Sequence, residues 1–405
     1  MGSLKLLRFP VMMVVCLVLL SSCSENDRPE IIDHIVVHHE DGYFMGWPAN
    51  NGVWSWDDGE IVVGFTRGPF DAEARGMHLI GAPFESWLAR SRDGGYSWEA
   101  FDPEGFVSGY DPDGLTGDSM LILSELVEPV DFSNDDFMLR LVGNGYLQPH
   151  VPEAGFYYSY DRGESWEGPF KLNGLSASEE FEGMGLFSPR TDYIIENERS
   201  ALLFLSIHTP EGSDKAFVAR TTDGGLSFNF KGWLADPHTD PFRAVMPSTV
   251  KLSSEKIISA VRRREVKRRD LYPHCWIDIY SSEDNGVTWN FLSRAAETGW
   301  SNGNPPAMIQ LSDGRIVLAY GNREHMQIRA RISSDEGRQW GPEIVLREGV
   351  QVDLGYPRLV ENKDGDIVTI YYWSESAASE KYIEATLWRI PHGNEWGSPV
   401  VVTSH

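Results

Sequence analysis

The chain has 405 residues, with 60 acidic against 35 basic side chains and a formal charge of −25. Such a surface repels phosphate backbones and excludes a nucleic-acid partner, while a hydrophobic content of 41% excludes general disorder. The 39 glycines beside 14 Trp, 15 Tyr and 19 Phe suit many short strands and turns rather than long helices, and three cysteines are too few for a disulfide scaffold.

In chain order, Lys5 and Arg8 come first, then an apolar run from Val11 to Leu20, then Ser21-Ser22-Cys23. These are the charged, apolar and small-residue regions of a secretory signal. The ending resembles a bacterial lipobox, which implies cleavage after residue 22 and a lipid on Cys23. Ser24, rather than Asp, follows the cysteine and resembles outer-membrane sorting. Residues 1–22 therefore read as a signal peptide and 23–33 as a lipidated, polar tether, so the membrane anchor is lipid. Residues 34–405 read as one domain. Cys275 is left unpaired and is expected to be a buried apolar filler.

Within that domain the strand His34–Val37 comes first. One short pattern then recurs, Ser/Thr-x-Asp-x-Gly-x-x-aromatic. It stands at Ser91-x-Asp93-x-Gly95-x-x-Trp98, Ser159-x-Asp161-x-Gly163-x-x-Trp166, Thr221-x-Asp223-x-Gly225-x-x-Phe228, Ser282-x-Asp284-x-Gly286-x-x-Trp289 and Ser333-x-Asp335-x-Gly337-x-x-Trp340. The aspartates are 51 to 68 residues apart, too regular for chance. Asp and Ser/Thr side chains bond turn amides, Gly accepts a positive φ, and the aromatic ring packs on a sheet. An alternating strand precedes each copy, such as Phe217–Arg220 or Ile328–Ile332. Hairpins with Asp-Gly turns lie upstream, at Ser312-Asp313-Gly314 and Lys363-Asp364-Gly365. Each unit is about four strands, which is a propeller blade.

The motif resembles the Asp-box (BNR) repeat of the sialidase-like superfamily, and the resemblance covers about Trp47 to Ile390. It implies an all-β, six-bladed β-propeller of the sialidase type, with blades near 46–100, 115–170, 186–233, 243–294, 304–347 and 354–390. The sixth blade has no box, and the strand His34–Val37 is a candidate to close the ring. The resemblance also puts the boxes on the outer rim, so their aspartates are structural.

A sialidase needs three arginines to clamp a carboxylate, a tyrosine nucleophile served by a glutamate, and an aspartate as acid/base. The resemblance assigns the nucleophile to Tyr356 in Asp353-Leu-Gly-Tyr356-Pro-Arg358, with Asp353 and Arg358 as substrate-binding candidates. Arg323, two strands earlier, matches one clamping arginine, and Arg262 or Arg264 another. The family's blade-one arginine is absent, because Tyr43-Phe44-Met45-Gly46-Trp47-Pro48 carries Gly46 at that place. The partner glutamate has no equivalent in Phe242-Arg243-Ala-Val-Met246-Pro247. Asp71 occupies the acid/base loop of blade one, and His78 in the same loop suits similar proton work. Asn50 is a candidate for sugar hydroxyls or for a turn. The histidines are scattered and match no zinc spacing, and no phosphate loop or dinucleotide fingerprint is present, so neither metal nor cofactor is expected.

The leading expectation is an exo-acting glycoside hydrolase that removes terminal, acidic sugars such as sialic acid. It is a monomer by default, anchored by lipid at the outer membrane and facing glycan substrates. Two alternatives remain open. One is a rhamnosidase or polysaccharide lyase acting on uronate-containing glycans through His78 or one of His34, His38 and His39. The other is a glycan-binding lipoprotein without catalysis.

Overall fold

Short alternating segments pair antiparallel into six sheets set as blades around one axis. The computed structural model describes residues 29–391, apart from 75–76, 107–122, 144–153, 211–212, 266–272, 301 and 377–378. Cys23, the signal peptide and most of the tether lie outside the described residues.

The first blade holds Tyr43–Gly46, Ile61–Pro69, Glu85–Ser91 and Glu99–Phe101, with the short Val53–Ser55 also paired to its second strand. The described strands of the second are Met138–Gly143, Ala154–Ser159 and Glu167–Lys171. The third runs Tyr193–Asn197, Ser200–His208, Asp214–Thr221 and Asn229–Trp233. The fourth runs Arg243–Lys251, Ile257–Arg264, Cys275–Ser282 and Asn290–Gly299. The fifth runs Pro306–Gln310, Ile316–Asn322, Gln327–Ser333 and Ile344–Glu348. The sixth takes Gly355–Glu361, Ile367–Trp373 and Tyr382–Arg389, and its outermost strand is Glu30–His38 from the start of the domain. The fold is the six-bladed propeller expected from the repeat. The closing strand begins at Glu30, so it takes in residues read above as tether, because Glu30 and Ile31 already pair with Arg389 and Trp388.

Second strands are buried at every position in the fifth and sixth blades, Ile316–Asn322 and Ile367–Trp373. Neighbouring blades cover both their faces, which explains a near-continuous apolar run where a half-exposed strand would alternate. Ile258, Ala260, Ile277 and Ile279 of the fourth blade thus form one cluster with Ile316, Leu318 and Tyr320 of the fifth. Burial of this kind is the main stabilising term of the ring.

Each box is the turn into the last strand of its blade. In the fourth blade, Asp284 accepts from the Ser282 hydroxyl at 2.9 Å, the Val287 and Thr288 amides at 3.1 and 2.8 Å, and the Thr288 hydroxyl at 2.6 Å. Gly286 then donates its amide to Ser282 Oγ at 2.8 Å. The sixth blade has no box for a topological reason: its fourth strand arrives from the other end of the chain, so there is no turn to close. The Thr288 hydroxyl and amide hold the Asp284 carboxyl down at about 2. Its folded value lies below its unfolded one, so this contribution is complete above ordinary carboxylate pH and is lost as pH falls toward 2. Asp284→Ala is expected to lower unfolding free energy by about 1 kcal/mol, since the turn is exposed and water replaces part of the loss. Chemical denaturation at neutral pH checks it, and the difference from wild type should shrink near pH 2.

Candidate active site

Propeller loops alternate between two faces. The boxes lie on one, and on the other lie the loops from second to third strands and those between blades. The second kind of face carries Asp353 and Tyr356 at the start of the sixth blade's inner strand, and Arg262 and Arg323 at or beside the ends of second strands. All four are buried, at 2%, 8%, 2% and 1% exposure respectively.

These four converge. Arg262 Nη1 donates to the Tyr356 hydroxyl at 3.3 Å, while its Nε and Nη2 bond the Asn302 carbonyl at 3.0 and 2.5 Å. The guanidinium carbons of Arg262 and Arg323 stand 5.7 and 5.9 Å from the Tyr356 ring centre. Burial would raise the phenol, but Arg262, Arg323 and His78 outweigh it and bring Tyr356 down to about 7. A phenolate forms near neutral pH without a neighbouring carboxylate base.

A second group adjoins it. Asp353 Oδ1 lies 2.9 Å from His78 Nδ1, accepts from the Tyr372 hydroxyl at 2.5 Å, and is 3.7 Å from Arg323 Nη2. Burial would lift this carboxyl, and His78, Arg323 and Tyr372 together hold it below the ordinary carboxylate range. His78 is one-third exposed and its ring meets Trp47 edge-on at 5.0 Å, so the loop of blade one hangs over the sixth blade. An imidazole oriented by a buried carboxylate is equipped to move a proton.

The backbone under Tyr356 is unusual. It is left-handed, with φ of 50°, although its side chain is bulky and proline follows. Trp47 and Met246 repeat the feature, at φ of 58° and 54°, each also before a proline, Trp47 just past the inner strand Tyr43–Gly46 and Met246 early in Arg243–Lys251. Strand pairing slips at two of the three, between Val245 and Ser248 and between Gly355 and Arg358. Such conformations cost ~1–3 kcal/mol each and persist where surroundings over-determine them. Here they bring three side chains together: Met246 Sδ accepts from the same Arg262 Nη1, also at 3.3 Å, and all three residues share one cluster with Phe44 and Tyr372. Met246 lies beside the arginine–tyrosine pair, in the stretch that lacks the family's glutamate. The sequence signal was available in the dipeptides Trp47-Pro48, Met246-Pro247 and Tyr356-Pro357.

Asn304 was also missed. It is fully buried, accepts from the Tyr356 amide at 2.8 Å and donates to the Leu354 carbonyl at 2.8 Å. Gly355 between them has φ of 101°, and a Cβ there would sit 2.5 Å from Asn304 Oδ1. The glycine is therefore what lets the amide clasp this strand.

The remaining candidates fall in several places. Arg264 Nη1 and Arg243 Nη1 both bond Asn302 Oδ1, at 2.6 and 2.8 Å, so with Arg262 three guanidinium groups meet on one asparagine. Arg243 is paired in turn with Asp214. Arg358, expected at the substrate, is instead committed to backbone carbonyls of Ala49 and Thr191, tying blade six to blades one and three across the axis. Asp71 accepts from the Glu73 amide at 2.9 Å, a turn contact, and no described contact joins it to Tyr356. Asn50 lies in the one-turn helix Pro48–Asn51, where its buried Oδ1 has no hydrogen-bond partner; its neighbour Asn51 accepts from Arg140. His34 and His38 sit on the outermost strand of blade six, away from Tyr356, where His34 Nδ1 contacts Thr386 Oγ1 at 2.9 Å. At Gly46 a Cβ would meet the Phe44 ring at 2.5 Å, so a larger residue at that place requires the ring to move. Cys275 is buried, and burial pushes its thiol up. Among the described residues no group of three His, Cys, Asp or Glu side chains is placed to hold a metal.

The fold is shared with several solved proteins. A Dyadobacter fermentans protein of unknown function aligns over 89% of this chain and 99% of its own, with 18% identity and a TM-score of 0.66. A Hadza microbial sialidase aligns over 87% and 68%, with 14% identity and a TM-score of 0.59. A Fusarium graminearum α-L-arabinofuranosidase aligns over 89% and 99%, with 14% identity and a TM-score of 0.56. No curated protein matches the chain. The BNR repeat-like domain matches residues 124–370, more than half of the sequence, and the chain belongs to that family of sialidase-like propellers.

Proposed function

We propose that the protein is a glycoside hydrolase that removes a terminal acidic sugar, with Tyr356 as nucleophile and His78 as acid/base. The observation that carries this is the Tyr356 hydroxyl, held 3.3 Å from Arg262 Nη1 in a site where charge brings the phenol to about 7. His78 protonates the glycosidic oxygen as the phenolate attacks the anomeric carbon, forming a glycosyl-tyrosine and releasing the aglycone. Water then attacks the same carbon, giving a proton to His78 and freeing Tyr356, with net retention. The pairing of His78 with Asp353 favours it over Asp71 in this role.

An acidic sugar is supported by charge. A chain of net −25 gathers Arg243, Arg262, Arg264 and Arg323 near one point of one face, and guanidinium suits a carboxylate. A uronate fits better than sialic acid, because Gly46 replaces the third clamping arginine and Arg262 is largely bonded to the protein. The likeness to sialidases and an arabinofuranosidase supports glycan chemistry in general. The tether and Cys23 suggest action outside the cytoplasm, on a lipid anchor at the outer membrane.

Chromogenic glucuronides, galacturonides, arabinofuranosides and sialosides test the reading. A uronide is expected to be cleaved by wild type and not by Tyr356→Phe; cleavage of none overturns it. The same phenolate could abstract a proton beside a uronate carboxyl, since Met246 leaves it without the hydrolase glutamate. Unsaturated-uronate absorbance from a uronic-acid polymer would favour that elimination instead.

A further inference from the structure

Arg262 is almost wholly committed inside the protein. Its Nε and Nη2 donate to the backbone carbonyls of Asn302 and Gly303. Nη1 is left for side chains, and it serves two of them, Met246 Sδ and the Tyr356 hydroxyl, each at 3.3 Å. Whatever stands at position 246 therefore competes with the reacting oxygen for one nitrogen.

The place of that sulfur is fixed. Met246 is 4% exposed, its backbone is left-handed before Pro247, and its amide donates to the buried Ser206 Oγ of blade three at 3.3 Å. It packs in one cluster with Trp47, Tyr356 and Tyr372. A thioether is a neutral, weak acceptor. It occupies one N–H of the guanidinium and cancels none of its charge. A carboxylate of similar length would act in the opposite sense twice. It would draw Nη1 to itself through a charge-assisted bond, and its own charge would oppose a phenolate. The other groups that face the hydroxyl are Arg323 of blade five, His78 of blade one and Tyr372 of blade six. Asp353, the carboxylate of this group, is engaged by His78 and Tyr372.

We propose that Met246 is a positioning residue for the reaction at Tyr356: its neutral sulfur steadies Arg262 Nη1 beside the hydroxyl and leaves the full guanidinium charge to act on that oxygen. The substitution of sulfur for a carboxylate is then what lets the phenol react without a base to take its proton. The inference rests on Tyr356 being the nucleophile, and it is tested without substrate. Ultraviolet difference titration of the whole protein follows the phenol, and the step that Tyr356→Phe removes is assigned to Tyr356. Its midpoint should rise in the order Met246→Leu, wild type, Met246→Gln, Met246→Glu. Leucine releases Nη1 to the phenol, the glutamine carbonyl competes for it more strongly than sulfur, and glutamate adds charge, for a rise of about 1–3 pH units over wild type. If Met246→Glu does not fold, the order of the other three carries the test. Any other order, or variants that melt lower yet titrate as wild type does, overturns the proposal and leaves Met246 a packing residue. Failure of wild type to cleave any glycoside, with the order intact, overturns the hydrolase reading and leaves the role of Met246 standing.

Discussion

Tyr356→Phe is expected to lower kcat on the order of 10³-fold or more while the protein stays folded. Phenylalanine keeps the ring that packs with Tyr372 and Met246, so the change is confined to the hydroxyl. Without it there is no oxygen to form the glycosyl intermediate, and what remains is binding and proton transfer. Arg262 Nη1 keeps the Met246 sulfur as a contact, which limits the stability cost. A fall in kcat of less than tenfold would remove the nucleophile role. The pH profile gives a second reading of the same atom. The folded phenol, at about 7, lies below its ordinary value of 10. The reactive phenolate therefore increases as pH rises through about 7, and kcat/KM should climb with a limb there. Arg262→Gln removes the larger of the two guanidinium effects, so the limb should move upward. Stability follows the same sign: between about 7 and 10 the unfolded chain binds a proton that the folded chain does not, so this group stabilises increasingly as pH rises across that window.

Asn304→Ala is expected to cost roughly 2–4 kcal/mol of unfolding free energy and to lower kcat more than it alters KM. The side chain touches no substrate atom; it is a positioning residue, holding the Tyr356 amide and the Leu354 carbonyl on either side of Gly355. Its loss leaves a buried donor and a buried acceptor unpaired and releases the left-handed turn at Tyr356. The phenol should then leave the field of Arg262 and Arg323, so its ultraviolet titration should shift upward toward 10, a change that mere destabilisation would not produce. Asn304→Asp keeps the acceptor for the Tyr356 amide and loses the donor, and should fall between wild type and alanine in kcat. If Asn304→Ala melts lower but titrates Tyr356 as wild type does, the residue is structural alone.

The cluster of arginines gives the overall charge a sharper meaning. Most of the acidic excess is dispersed, as in Asp284, whose carboxyl closes a turn. Three cations, by contrast, collect where Arg243, Arg262 and Arg264 meet Asn302. Surface repulsion and a local attractive mouth are compatible, because screening confines each field to about 10 Å in ordinary salt.

Sequence alone determined the ring. A box is a local device, with every bond of Asp284 made inside Ser282–Thr288, so five copies could be read without knowing what lies beside them. Motif position likewise singled out Tyr356, Arg323 and Arg262. Tertiary structure decided which of these residues meet. Asn304 and Tyr356 are 52 residues apart, Arg262 and Tyr356 are 94 apart, and His78 meets Asp353 from the opposite end of the chain. Such contacts exist because ring closure brings blades one, four, five and six to one mouth, and no local pattern records that distance. The same closure turned Arg358 toward the axis, where carbonyls of blades one and three needed a donor. It also set Trp47, Met246 and Tyr356 in strained left-handed turns, which a residue before proline does not adopt unless its surroundings hold it there.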